Sequence, residues 1–254
     1  MLQNICRVSV ASLVALVATG AARAAEDDWQ FKLGAGAGYA PKYEGSDNYG
    51  VIPLPVISAD YRDGLFFVSF KDGIGSYPIR GEHFKLGAAL GYDRGRDQDD
   101  DRDNLNGMGD VDGGAKASLL GEYDFGIARL SGEIATGSGD YGTTADVKLG
   151  SRYPLDDRFT LLGSVGATWA DGEHMENYFG VSPAQAARTR YSRYDAGAGL
   201  KSVGASVGVS YAITPDWSTN LMLAGKQLVG DAADSPIAKH DFNPSLFLTT
   251  VYTF

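Results

Sequence analysis

The chain has 254 residues, a net charge of −10, 34 glycines and a single cysteine. Such acidity argues against a nucleic-acid partner and gives no polybasic signal for a membrane surface. No stretch beyond the first two dozen residues is apolar for the roughly 20 residues a membrane helix needs, which excludes a helical membrane protein.

At the amino end, Arg7, an apolar run from Val8 to Val17 and the small residues Ala21-Ala22-Arg23-Ala24 form a secretory pattern. The run is too short to span a bilayer, and Ala22-Arg23-Ala24 fits a cleavage site. Residues 1–24 are therefore expected to be a removed signal peptide that takes Cys6 with it, leaving 25–254 as one domain without thiol or disulfide chemistry.

The mature chain then repeats a period of two. Trp29, Phe31, Leu33, Ala35, Ala37 and Tyr39 share one face, with Gln30, Lys32, Gly34, Gly36 and Gly38 on the other. The same division recurs from Phe84 to Asp93 and from Arg158 to Trp169. Alternation over about ten residues is the pattern of a strand with one face in lipid and one in a polar lumen. Strands are expected near 29–40, 48–61, 64–70, 73–79, 82–93, 111–124, 125–137, 140–153, 158–170, 194–212, 216–228 and 242–254. The fold class is thus all-β, an antiparallel transmembrane β-barrel of 12 strands; merging the pair from Leu65 to Ile79 would leave ten.

Connections alternate in length. Those at Arg62-Asp63-Gly64, Arg80-Gly81, Asp124-Phe125-Gly126, Pro154 to Arg158 and Thr214-Pro215-Asp216 are short, as periplasmic turns should be. The segments from Arg94 to Asp110, Asp171 to Arg193 and Val229 to Asp241 are long, as extracellular loops are. Pro53 and Pro55 are expected to interrupt a ladder, making that strand bulged or partly above the bilayer. Trp29, Tyr39, Tyr92, Tyr123, Tyr153, Trp169, Tyr211 and Trp217 fall at strand ends, where interfacial girdles place such rings. The chain stops on Tyr252-Thr253-Phe254, a terminal strand with the aromatic ending of an outer-membrane barrel, which is expected to serve as an assembly signal for the barrel assembly machinery.

Inward positions carry Lys32, Lys85, Asp112, Lys116, Glu122, Arg129, Glu133, Asp146, Lys148 and Arg152. Mixed signs in a narrow lumen brace the wall as ion pairs, or set selectivity at a constriction. Asp99, Asp101 and Asp103 have the alternating spacing of a calcium loop's first ligands. Asn104, however, stands where the tight-turn glycine belongs and no helices flank the segment, so only a looser cation site competes with a solvated charged loop. His83 is far from His174 and His240, which disfavours a three-histidine metal site. Asp234, Ser235 and His240 share one loop, but Ser235 before Pro236 reads more plainly as a turn than as a nucleophile. Tyr178 and Phe179 lie in the longest outer loop, with no lipid level to satisfy, and are expected to plug or brace the barrel mouth. No cofactor and no catalytic constellation are implied.

Gly34-Ala35-Gly36 with Pro41-Lys42-Tyr43-Glu44-Gly45-Ser46, Tyr178-Phe179-Gly180-Val181-Ser182, and Leu228-Val229-Gly230-Asp231-Ala232-Ala233-Asp234-Ser235-Pro236-Ile237, with the terminal Tyr252-Thr253-Phe254, resemble the MipA/OmpV family. The resemblance covers essentially the whole mature chain. It implies the outer membrane of a Gram-negative bacterium, in contact with lipid and lipopolysaccharide. It also implies a non-enzymatic scaffold joining a murein transglycosylase to a peptidoglycan synthase, or a role in adhesion. A narrow channel for small solutes or antibiotics is the alternative.

Overall fold

Strands form where the alternation predicts them because each apolar row has a lipid-facing side to occupy and each small or polar row a lumen. The computed structural model describes residues 28–254; the expected signal peptide lies outside the described residues. Twelve antiparallel strands close into a barrel, each paired with its sequence neighbours and the first with the last. They are β1 Trp29–Pro41, β2 Tyr49–Tyr61, β3 Phe66–Ser69, β4 Gly73–Arg80, β5 Phe84–Arg96 and β6 Val111–Asp124. The second half comprises β7 Arg129–Gly137, β8 Thr143–Pro154, β9 Phe159–Ala170, β10 Gly199–Ala212, β11 Trp217–Leu228 and β12 Phe242–Thr253. The doubtful pair is present as β3 and β4, so twelve strands stand and ten do not.

The outside of this barrel is apolar: Leu33, Ile57, Leu90, Ile134, Val165, Val207 and Leu248 are all exposed. A continuous apolar belt on a closed sheet is a lipid-facing surface. At the end bearing the short turns, Trp29 stacks with Phe31, Phe159 meets Tyr211, and Trp217, Tyr252 and Phe254 form a chain of rings. Closure between β1 and β12 is tight. A Cβ on Gly34 or Gly36 would run into the backbone of Thr250 or Leu248, so glycine is required at this seam for the two strands to approach.

The wall is not equally complete all round. β3 and β4 are short, and β2 pairs with β3 only from Ser58 to Tyr61. On that side, among the described residues, β2 has no ladder partner from Tyr49 to Val56, nor has β5 from Gly91 to Arg96. A slot of roughly 25 Å along the strand direction, at about 3.3 Å per residue, therefore opens above the β3–β4 hairpin.

The prolines belong to this slot. β2 holds one uniform register with β1 from Trp29↔Tyr61 to Pro41↔Tyr49, so the expected bulge does not occur, and the ladder is missing only on the β3 side. Ile57 offers its carbonyl to Phe70 across the β3 side. Pro53 and Pro55 share its parity, so their missing N–H groups would have pointed into the slot. An edge strand in a membrane is better without such donors.

Candidate functional site

Above the barrel the long loops fold over the mouth as a lid. The loop after β5 carries a 3-10 turn, Gln98–Asp101, and one helical turn, α1 (Arg102–Leu105). The loop after β9 carries α2 (Gly172–Phe179) and α3 (Pro183–Ala186). Asp171 caps α2 by accepting from the His174 N–H, and Ser182 with Gln185 forms a capping box on α3. Two small apolar cores hold these pieces together. Tyr43, Leu105, Met108, Val181, Tyr191 and Ile237 make one, and Met175, Phe179, Ala196, Leu228 and Ala232 the centre of the other. Each core draws on at least three separate loops or strand ends, so none of the loops can order alone.

Polar groups link the lid to the barrel rim. Glu44 accepts from Lys226 at 2.6 Å and pairs with Lys201 at 3.0 Å. Lys201 is the extra residue of a β-bulge between Leu200 and Ser202, which turns it out of the alternation and into the mouth. Its ammonium also donates to Nε2 of His174, 3.1 Å away, while Nδ1 of His174 lies 2.7 Å from the Tyr141 carbonyl. The two contacts agree only if Nδ1 carries the proton and the ring is neutral. Burial and the adjacent Lys201 charge push His174 down to about 4, in keeping with that state. Burial alone would raise the Glu44 carboxyl, but Lys201 and Lys226 outweigh it and hold the group well below the usual carboxylate range. The His174 ring is further fixed between Tyr178, stacked at 4.4 Å, and the edge of Tyr141.

A second tie spans the slot. Asp101 accepts from Ser46 at 2.7 Å, from Asn48 at 2.9 Å and from Asn104 at 3.0 Å, and Asn104 also donates to Asp47. This strap joins the loop above β5 to the loop above β2.

Beneath the lid lies a lumen cavity of about 1130 Å³. It runs from Gln30, Asp60 and Asp63 at the short-turn rim to Glu44 and Asn243 under the lid, and sideways to Ser69, Lys71 and Asp72 at the tip of the β3–β4 hairpin. A separate cavity of about 320 Å³ sits higher, between β5 and the lid. Tyr43, Glu44, Asp146, Thr168 and Lys226 border both.

Lys32, Glu122, Glu133, Asp146 and Lys148 line the lumen cavity. Lys116 donates to Glu133 at 3.0 Å, Arg129 pairs with Glu122 and Asp124, and Lys85 binds Asp63 at the short-turn rim. Arg152 and Asp112 are exposed, the first at the short-turn end of β8 and the second at the outer rim, its N–H bonded to Asp140. The three alternating aspartates are not brought together. Asp99 is held by Arg102, Asp101 turns inward to the strap, and Asp103 stays exposed. Among the described residues no group of three acids, histidines or cysteines is placed to hold a metal ion.

Tyr178 donates to Asp93, and Phe179 is buried in the second core while its carbonyl accepts the Ser235 hydroxyl. With its hydroxyl so occupied and His240 exposed, Ser235 locks two loops together, and Pro236 receives Lys239 on its carbonyl. Gly180 caps α2, Gly230 turns the chain at φ +54°, Asp231 accepts from Gly197, and Asp234 caps the same turn through its N–H to Gly230. Sequence reasoning missed Arg96, Lys201 and Lys226. Lys226 occupies an inward position of a recognised strand and could have been read; Lys201 and Arg96 depend on a bulge and on a turn at Gly95 (φ +70°) that alternation does not announce.

A closed twelve-stranded barrel with an apolar outer belt and a charged lumen is an outer-membrane β-barrel protein. The chain belongs to the family described as MltA-interacting protein MipA, whose sequence pattern matches residues 33–254. A comparison with curated proteins finds no match. Among solved structures, an outer-membrane channel from Pseudomonas putida F1 is similar at 13% identity and a TM-score of 0.45, covering 92% of this chain and 98% of that one. An anion-selective porin from Comamonas acidovorans is similar at 10% identity and 0.42, covering 89% and 98%.

Proposed function

We propose that this protein is a narrow outer-membrane channel for small solutes whose mouth is closed by the lid and whose outer access is the slot beside it. The observation that carries this reading is the lumen cavity, which extends from the short-turn rim to the hairpin tip where the wall has no ladder. Its lining carries charged and hydroxyl side chains, among them Lys32, Asp60, Glu133, Asp146, Lys148 and Ser206, which favour a hydrated path. Planar-bilayer recording of the refolded protein tests it: discrete conductance steps that change when Lys116 or Arg129 is neutralised are expected, and strict silence from a folded barrel overturns it.

The family description favours a second reading, interaction with a murein transglycosylase, which we extend to a scaffold that also holds a peptidoglycan synthase. Its surface would have to be the five short turns, 62–65, 81–83, 125–128, 155–158 and 213–216. Capture of a purified murein transglycosylase by the barrel, lost when charges in these turns are reversed, supports that role; no capture counts against it.

A further inference from the structure

The cavity between β5 and the lid contains a buried cation that makes no ion pair among the described residues. Arg96 is 7% exposed, yet among the described residues it has no carboxylate partner. Its one side-chain hydrogen bond runs from Nη1 to the Tyr178 carbonyl at 2.6 Å, its Nε is buried with no partner, and its guanidinium lies 6.0 Å from the centre of the Tyr43 ring. Tyr43, Tyr178 and Arg96 all border the 320 Å³ cavity, so the guanidinium faces it. A buried, unneutralised arginine costs several kcal/mol and persists where something offsets that cost.

Local sequence shows how it arrives there. On β5, Asp93 is committed to Tyr178 and the Gly95 N–H, and Arg94 faces outward to Asp100 at 3.7 Å. Gly95, in the left-handed region, breaks the alternation and turns Arg96 under the lid.

We infer that this cavity is a binding site for a small organic anion bearing a single carboxylate, held on Arg96 between aromatic walls. Three observations select that class. The lining carries five lysines and arginines against four carboxylates, with His174 neutral, so one negative charge brings it to balance. A dianion such as phosphate would leave excess negative charge beside Glu44 and Asp146. A planar carboxylate matches the fork of a guanidinium, and Tyr43, Tyr141, Tyr178 and Phe179 supply rings for an apolar or aromatic body. The volume is at the small end of ligand pockets, enough for a one-ring acid and not for a lipid. Exposed Arg94 and half-buried Asp100 border the cavity beside the slot, and Lys226 and Glu44 join it to the lumen, so the site stands between the outside and the channel. Its role as the channel's point of selection rests on the channel reading; the binding itself does not.

Calorimetric titration of the refolded protein with sodium benzoate, with benzamide as the uncharged isostere and inorganic phosphate as the dianion, tests the site. Benzoate is expected to bind once per barrel, and benzamide and phosphate at least about tenfold more weakly, a difference of about 1.4 kcal/mol. Arg96→Gln is expected to bring benzoate down to the level of benzamide. Equal affinity for benzoate and benzamide, preference for phosphate, no benzoate binding, or an unchanged Arg96→Gln overturns the proposal. The benzoate and benzamide comparison needs no variant, so it decides the question even where Arg96→Gln does not fold. Benzoate binding in a barrel that is silent in bilayers supports the site and removes the channel; conductance without benzoate binding removes the site and leaves the channel.

Discussion

The wall from β8 to β11 and the wall from β2 to β5 come from similar sequence, alternating and rich in glycine, yet they are held by different means. On the first side each strand is paired along nearly its whole length, as in β9 with β10 from Phe159↔Tyr211 to Ala170↔Gly199. On the second, β3 and β4 share only three register positions, and the gap above them is bridged by side chains of Asp101, Ser46, Asn48 and Asn104. Ladder hydrogen bonds need only the backbone and tolerate most residues. A side-chain strap needs particular residues, so the second wall is the more specific and the more fragile of the two.

A proline pair breaks this comparison open most forcefully. Val207→Pro removes an N–H in the middle of β10, which is paired on both sides, and is expected to cost about 3 kcal/mol or more and abolish the heat-modifiable gel shift of a folded barrel. Val51→Pro places a third proline on the slot edge of β2, where no ladder partner exists, and should shift the melting midpoint by the equivalent of less than about 1 kcal/mol. Equal damage from both would mean that the slot is paired in the membrane.

Glu44→Gln sharpens the contrast within the lid. It leaves Lys201 and Lys226 without their shared carboxylate, and should loosen the lid by about 3 kcal/mol while the barrel stays folded. Faster protease cleavage within 171–198, with an unchanged heat-modifiable shift, would show this.

Acid should act on the same tie. His174 has a pKa of about 4 in the folded lid against 6.5 for the ordinary side chain, so the opened lid takes up the proton first. Lid stability is therefore complete above about pH 6.5 and falls by up to about 3 kcal/mol as the pH drops to about 4. Glu44, held well below that window, stays ionised through it. Protease cleavage of the lid measured across this range should lose its pH dependence in His174→Gln.

The smallest effects separate the two aspartates. Asp101→Ala should weaken the strap by about 2 kcal/mol, because Ser46 and Asn104 lose a buried acceptor. Asp103→Ala should fall within about 0.5 kcal/mol in melting experiments, with or without calcium.

The barrel was legible because lipid and lumen impose a period of two on every strand, and a single sequence displays that period directly. Strand ends were legible to within a few residues, as where 194–212 became Gly199–Ala212. The bulge expected at Pro53 and Pro55 does not form, since a proline reports a missing donor but not which edge would have used it. The lid was hidden for a different reason. Its contacts join residues as far apart as Tyr43 and Ile237, and its key cations reach their places through the bulge at Lys201 and the turn at Gly95. Tyr178 and Phe179 announced themselves only because aromatic residues in a long outer loop have no lipid to face.

A closed ladder resists circumferential load as a hoop, whereas a slotted cylinder resists it by bending. In this protein the upper rim is a split ring, closed across the slot by the tie of Asp101 to Ser46 and Asn48 and by the packing of Tyr43 in one core with Leu105 and Met108. The width of the slot is thus set by a few side-chain contacts and one small apolar core, where a fully laddered barrel would set it by backbone geometry alone.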